Sequence, residues 1–496
     1  MRLSSKHEQK ILTYGDFSGG LNTTTVPEMI AQNQVARCVN MEFNRSTGSL
    51  QTCSGSATIF KAPNNFVIIA VFYDPINNQF LVIDADKNVY KSPLTDLTGL
   101  DPNDLELVGV LTGDVFPMAV PWEFGLLVSS GGNLQYWNGL TFDTLKYSPA
   151  VCNGVFVKNG RVYVWYDYTL QCSGVGDETW WTTSSSDDSS SQWLDIGYKE
   201  GESDAASILG VTALSADIVV LKNDGKVYRV SGEYPDWSVK EITRFGKALN
   251  SHCYCAVQDG VFILDRNNLV YLQPTQVYGD VKPQNMAVNV KGMLNDLDLE
   301  KTHMDFIPSL NQIWITSRGN DVIVFDLTFN AFTERSFNHR VEGVVTDYLG
   351  MVLLVRSDKV TRLLEGMYID EEYSTDRSTI SWNITCRTDA SFNEHLLKKI
   401  RMSYAPQSDV YTGSKIITAK GKINIAIPPR TTPSLAIGGV GGSLLVGGST
   451  FLVNPSDTQF VTQKMIHRDI TLDMKLEGEN APIMINRIDC GIAEVR

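Results

Sequence analysis

Residues 217 to 232 read DIVVLKNDGKVYRVSG: an apolar strand, a polar turn on Asp224-Gly225, and a second strand carrying Tyr228. Two-residue turns of this kind need positive φ, which Gly and Asn tolerate, so the segment reads as a β-hairpin. Six further segments read alike: 80 to 92 (FLVIDADKNVYKS), 125 to 139 (GLLVSSGGNLQYWNG), 155 to 168 (VFVKNGRVYVWYDY), 260 to 273 (GVFILDRNNLVYLQ), 312 to 327 (QIWITSRGNDVIVFDL) and 351 to 366 (MVLLVRSDKVTRLLEG). With Ile83, Val128, Val164, Val220, Ile263, Ile315 and Leu354 as markers, the spacings are 45, 36, 56, 43, 52 and 39 residues. Propeller blades run to roughly 40 to 50 residues each, and one blade cannot bury its own apolar face. The expected fold is therefore mainly β: a β-propeller over residues 61 to 370. The hairpins leave six, seven or eight blades open and allow one blade to be closed by strands from both ends of the chain.

Outward from the repeats, helical periodicity is scarce. The clearest helix expectation is Pro27 to Met41 (PEMIAQNQVARCVNM), with Pro27 in the first turn and Met29, Ile30, Val35, Ala36 and Val39 as an apolar stripe. A composition shift at Gly366 to Asp376 marks a domain boundary. Beyond it, the alternating runs ISWNITCRT, KKIRMSYAP, KGKINIAIP and RDITLDMKL predict an antiparallel β-domain over residues 371 to 496, forming a platform. Residues 1 to 60 are expected to pack on that platform, because an isolated helix of this length needs an apolar partner.

The chain has 496 residues, 43% apolar and 20% charged, which is ordinary globular composition. Its net charge of −14 is uneven: residues 1 to 370 hold 28 Lys/Arg against 43 Asp/Glu, and residues 371 to 496 hold 14 against 13. An acidic surface repels phosphate, which argues against tight nucleic-acid binding through counterion release but leaves passage of nucleic acid open. The eight cysteines, at 38, 53, 152, 172, 253, 255, 386 and 490, form no regular framework and read as free thiols in a reducing compartment. The start MRLSSKHEQKILTYGD lacks the apolar core of a signal peptide.

Catalytic patterns mostly fail. His467-Arg468-Asp469 spells a kinase tripeptide without its companion motifs. Asp84 to Asn88 starts like a calcium loop, but Val89 and Thr95 stand where Gly and Glu are required, so a hairpin turn is expected. The six histidines, at 7, 252, 303, 339, 395 and 467, show no metal or nucleophile spacing. His252-Cys253-Tyr254-Cys255 lacks a second ligand pair. The expectation is a non-enzymatic chain with no cofactor and no metal.

Two loops stand out. Thr431 to Ser456 is uncharged and includes LAIGGVGGSLLVGGSTFLV, whose six glycines in 19 residues make a poor membrane helix. It reads as a Gly-rich loop at 435 to 453 in which Leu435, Ile437, Val440, Leu444, Leu445 and Val446 are candidates to touch a partner or gate a channel, with residues 182 to 192 as the second candidate gate. The Ser-rich stretch 177 to 193 carries Trp180, Trp181 and Trp193, candidate exposed aromatics on which a sugar would stack. Ser186, Asp188, Ser190 and Trp193 approximate one Asp-box of sialidase-like propellers, with Ser190 where Gly is usual. A glycan-binding propeller, or more remotely a glycosidase, is the alternative reading.

Asp16-Phe17-Ser18-Gly19-Gly20-Leu21-Asn22-Thr23, Pro27-Glu28, Asn33-Gln34, Cys38-Val39-Asn40-Met41-Glu42 and Gly48-Ser49-Leu50 resemble the opening of short-tailed bacteriophage tail proteins of the nozzle, or tail tubular protein B, type. Trp180-Trp181 through Trp193 to Ile208-Leu209-Gly210-Val211, and Gly246 through Val261-Phe262-Ile263-Leu264-Asp265, resemble that family's propeller. LLKKIRMSY and MINRIDCGIAEV resemble its closing strands. The resemblance implies a structural virion protein of the phage tail, made and assembled in the bacterial cytoplasm. It implies six copies in a ring below the head-tail adaptor, contacts with tail fibre or needle proteins, and double-stranded DNA retained and then ejected through the channel without sequence-specific binding.

Overall fold

A computed structural model describes residues 9–62, 66–92, 104–197, 206–234, 236–244, 250–258, 260–274, 281–298, 300–346, 350–364, 368–372, 376–407, 414–418, 423–427, 459–472, 474–479 and 481–494. The chain divides into two units: residues 58–322 with 339–362, and residues 1–57 with 323–338 and 363–496. The second set of bounds takes residues 323–338 out of the unbroken span 61–370 expected from the repeats.

The first unit is a β-propeller. Five four-stranded antiparallel blades follow one another in chain order. Their first strands are Ile68–Asp74, Met118–Trp122, Val155–Lys158, Ile208–Leu214 and Tyr254–Val257. Blade 6 opens with His303–Ile307 and Gln312–Thr316. Blade 7 has Gly343–Thr346, Val352–Val355 and Lys359–Leu363, and its fourth strand is Ser56–Lys61 from the other end of the propeller sequence. Successive first strands lie side by side from blade 2 round to blade 7, and that of blade 7 lies beside that of blade 1. Seven blades thus close one ring.

All seven marker residues lie on second strands, and each is fully buried. A second strand is covered by a neighbouring blade on each face, so both its odd and even positions are apolar. Phe80-Leu81-Val82-Ile83 and Ile218-Val219-Val220-Leu221 are examples. The long step from Val164 to Val220 accommodates the Ser-rich connection between the third and fourth strands of blade 3, Thr169–Cys172 and Gln192–Asp195. Between blades the contact is apolar: Ile59, Phe60, Phe80, Val82, Leu353, Val355 and Val360 form one such cluster, which the closing strand completes. The Asp84 turn is a hairpin, its carboxylate accepting from Asn88 N at 2.8 Å and from Asn88 Nδ2 at 2.9 Å.

In the other unit, one sheet runs Met41–Phe43, Leu50–Thr52, Ile483–Glu494, Asp389–Pro406, Gln459–Leu472, with Gln9–Tyr14 also paired to Ile483–Glu494. A second contains Gln34–Val39, Ser381–Cys386, Met474–Glu479, Ser414–Thr418 and Ile423–Ile427.

The expected helix at Pro27 to Met41 is absent. Turns occupy its first half, and Gln34–Val39 is a strand paired antiparallel with Ser381–Cys386. Val35, Cys38 and Val39 are buried there, so tertiary pairing outweighs a helical stripe made largely of β-branched residues. Gly20–Leu21 pairs parallel with Gln34 and Val35. Gly20 has φ +62, and a Cβ there would lie 2.8 Å from the carbonyl oxygen of Phe332, so only glycine fits.

Candidate functional site

The candidate gate residues Leu435, Ile437, Val440, Leu444, Leu445 and Val446 lie outside the described residues. Their segment joins the strand ending at Ile427 to the strand beginning at Gln459. Among the described residues, no helix is long and apolar enough to cross a membrane.

The three tryptophans do not form one exposed surface. Trp193 is 56% exposed on the fourth strand of blade 3. Trp181 is 7% exposed, part of the core between blades 2 and 3, and donates from Nε1 to Glu178 O at 2.7 Å. Trp180 is half-buried against Gly174. The expectation of three exposed aromatics is corrected to Trp193, because the indoles of Trp180 and Trp181 fill space beneath the loop they begin. Nor is residues 182 to 192 a loop without packing. The guanidinium of Arg161, on the second strand of blade 3, is buried and donates to the carbonyl oxygens of Ser173 and Ser190 at 2.7 Å and of Asp188 at 2.5 Å. Ser190 and Ser191 are fully buried, and Ser190 Oγ accepts from Ser184 N at 3.0 Å. This loop is fixed to its blade.

Sequence reasoning missed a cluster at the propeller centre. Phe116 lies two residues before the first strand of blade 2. His252 precedes the first strand of blade 5, and His303 begins that of blade 6. The Phe116 ring centroid lies 4.7 Å from each imidazole, and the imidazoles are 5.0 Å apart. Arg318, in the turn after Gln312–Thr316, places its guanidinium 5.5 Å from the Phe116 centroid. Arg318 and Arg340 each stand 3.3 Å from a different carboxylate oxygen of Glu342.

Burial, with the Arg318 charge adding to it, lowers His252 to about 4. Burial, then His252, then Arg318 lower His303 to about 3. Both imidazoles are therefore neutral at pH 7. His252 Nε2 is buried and has no hydrogen-bond partner among the described residues. Asp305, on the same strand face as His303, is raised to about 7 by burial, against a hydrogen bond from the backbone of Val344. No motif announces this cluster, because its members are scattered from residue 116 to residue 342 and only ring closure assembles them. Among the described residues no group of three or more His, Cys, Asp or Glu is placed to hold a metal ion. The eight cysteines are free thiols, seven buried and Cys255 partly so.

No family model matches the sequence, and no curated protein matches it. Solved structures with some similarity to it include three. The WD40 repeats of RRP9 share 10% identity, with a TM-score of 0.43, covering 63% of this chain and 99% of that one. U3-55K shares 11% identity at a TM-score of 0.39, covering 61% and 96%. The extracellular domain of a hybrid two-component system of B. thetaiotaomicron shares 10% at 0.41, covering 65% of this chain and 45% of that one.

Proposed function

We propose that this chain is a structural subunit of the tail nozzle of a short-tailed bacteriophage, forming with further copies a ring through which genomic DNA is retained and then ejected. The observation that carries this reading is the placement of the residues on which the resemblance rests. Asn40 is buried at a junction of three segments: its Nδ2 donates to Ser381 O, its Oδ1 accepts from Ser336 N, and its N–H donates to Glu334 O. Asn22 similarly ties Gln34, Thr24 and Thr25. These short motifs are thus working joints within the unit that contains both terminal segments.

Charge supports the same reading. The propeller unit holds 22 Lys/Arg against 35 Asp/Glu, so it carries −13 of the chain's −14. Duplex DNA carries a charge about every 1.7 Å, so acidic walls favour sliding over adhesion. In this reading the ring interfaces are heterologous and ring-closing, as cyclic symmetry requires. The head-tail adaptor, tail fibre or needle proteins are the neighbours, and the candidate gate is the segment at 435 to 453.

A peripheral, glycan-binding role is the second reading, favoured by the single exposed indole of Trp193. Gold-labelling of a terminally tagged chain on the virus particle separates the two. Label on the tail axis below the neck supports the nozzle, label at the periphery supports receptor binding, and a particle without the chain overturns both.

A further inference from the structure

Phe116 reaches across the propeller axis. It belongs to blade 2, and its partners belong to blades 5 and 6, each three places away in a ring of seven, one in either direction. First strands that far apart are not neighbours, so rings 4.7 Å apart meet only over the axis. The turn bearing Arg318 and the approach to blade 7 bearing Arg340 and Glu342 open on the same face, where Val341 N donates to Gly319 O at 3.0 Å.

We propose that Phe116, His252, His303 and Arg318 form a plug that closes the axial opening of the propeller on this face, and that protonation of the two imidazoles releases it.

The closed form needs neutral imidazoles, which pack on Phe116 and on each other as aromatic rings do. Two imidazolium ions 5.0 Å apart, beside Arg318, would repel one another in a site sheltered from water. The surrounding groups offer no relief. Glu342 is already shared by Arg318 and Arg340. Asp305, raised to about 7, is protonated before either imidazole and so supplies no countercharge. The thiols of Cys253 and Cys255, raised by burial, stay neutral. Beside the Phe116 segment, Asp114 is exposed and paired with Lys87. The backbone leading to Phe116 is tethered, with Gly113 N donating to Ser130 Oγ at 3.1 Å and Val115 N to Ser130 O at 2.8 Å. Release is therefore a swing of side chains rather than unfolding of the loop. While the plug is closed, the propeller axis is shut at this face, and anything the assembly conducts runs outside it. The plug itself does not depend on the nozzle reading.

The test follows the six imidazoles of the full-length chain by 13C-edited NMR from pH 7.5 to pH 3.5, with His252→Gln and His303→Gln for assignment. Two imidazoles are expected to titrate well below the ordinary value of about 6.5 and, over that same range, to lose cross-relaxation with the Phe116 ring. Methyl signals of the blade cores, such as Val164 and Val220, are expected to persist. In Phe116→Ala both imidazoles should gain proton affinity by about tenfold or more, one pKa unit or greater. The proposal fails if the contacts with Phe116 survive protonation, if both imidazoles titrate near 6.5, or if the core methyls collapse over the same range.

Discussion

The side-chain oxygen of Asn40 accepts a hydrogen bond from the backbone N–H of Ser336 at 2.7 Å, although 296 residues separate them along the chain. Asn40 also has φ +56, a region that Asn tolerates better than most residues. Its amide joins the N-terminal segment, the strand through Ser336 and the strand beginning at Ser381 within one unit. Asn40→Ala should cost about 3 kcal/mol, since a buried N–H and a buried carbonyl each lose a partner. Chemical denaturation of the variant checks this, and a loss below about 1 kcal/mol would make the joint dispensable.

Arg161→Met should be at least as damaging. Three carbonyl oxygens, of Ser173, Asp188 and Ser190, lose their shared donor, at about 1 kcal/mol or more each. Limited proteolysis should then cut within residues 182 to 192 in the variant and spare them in the parent chain.

The closing strand of blade 7 places Phe60, fully buried, between blades 7 and 1. Phe60→Ala should cost about 3 to 5 kcal/mol and lower the thermal midpoint of the propeller. An unchanged midpoint would show that the ring does not need this strand.

Trp181→Ala and Trp193→Ala should behave oppositely. Loss of the buried indole costs about 3 to 5 kcal/mol, whereas loss of the exposed one stays within about 0.5 kcal/mol. If the peripheral reading holds, Trp193→Ala alone abolishes host adsorption while leaving the thermal midpoint in place.

Asp305 and the two histidines predict opposite pH responses. The Asp305 carboxyl is raised to about 7 in the fold, against roughly 3.9 in the unfolded chain. Between those values the unfolded state loses its proton first, so stability falls as pH rises from about 4 to about 7. Asp305→Asn should raise the thermal midpoint at pH 8 and leave it little changed at pH 4. His252 and His303, lowered to about 4 and about 3, favour the fold above about pH 6.5, and that contribution is lost as pH falls toward 3. The double variant His252→Gln, His303→Gln should therefore lose less stability than the parent chain between pH 6 and pH 4.

The propeller was legible because its decisive signal is local. Val128, Val220, Ile263 and the other markers sit in short apolar runs next to turn residues, and a strand covered on both faces must be apolar whatever surrounds it. The segment Gln34–Val39 reads as helix because Val35 and Val39 satisfy a helical stripe as readily as a strand, and only pairing with Ser381–Cys386 separates the two. Trp181 and Trp193 were indistinguishable in a Ser-rich context. What separates them is packing: Trp181 enters the apolar core between blades 2 and 3, whereas Trp193 stands exposed on the fourth strand of blade 3.

By itself the sequence determined the β class, the repeating blades, the acidic propeller, and the short motifs at Gly20 to Asn22 and Asn40, since each depends on neighbours a few residues apart. Tertiary structure decided the count of seven, closure by Ser56–Lys61, and the meeting of Phe116, His252, His303 and Arg318. Those depend on which blade comes to face which. Ring closure sets that, and contacts across an axis leave no period in the chain that makes them.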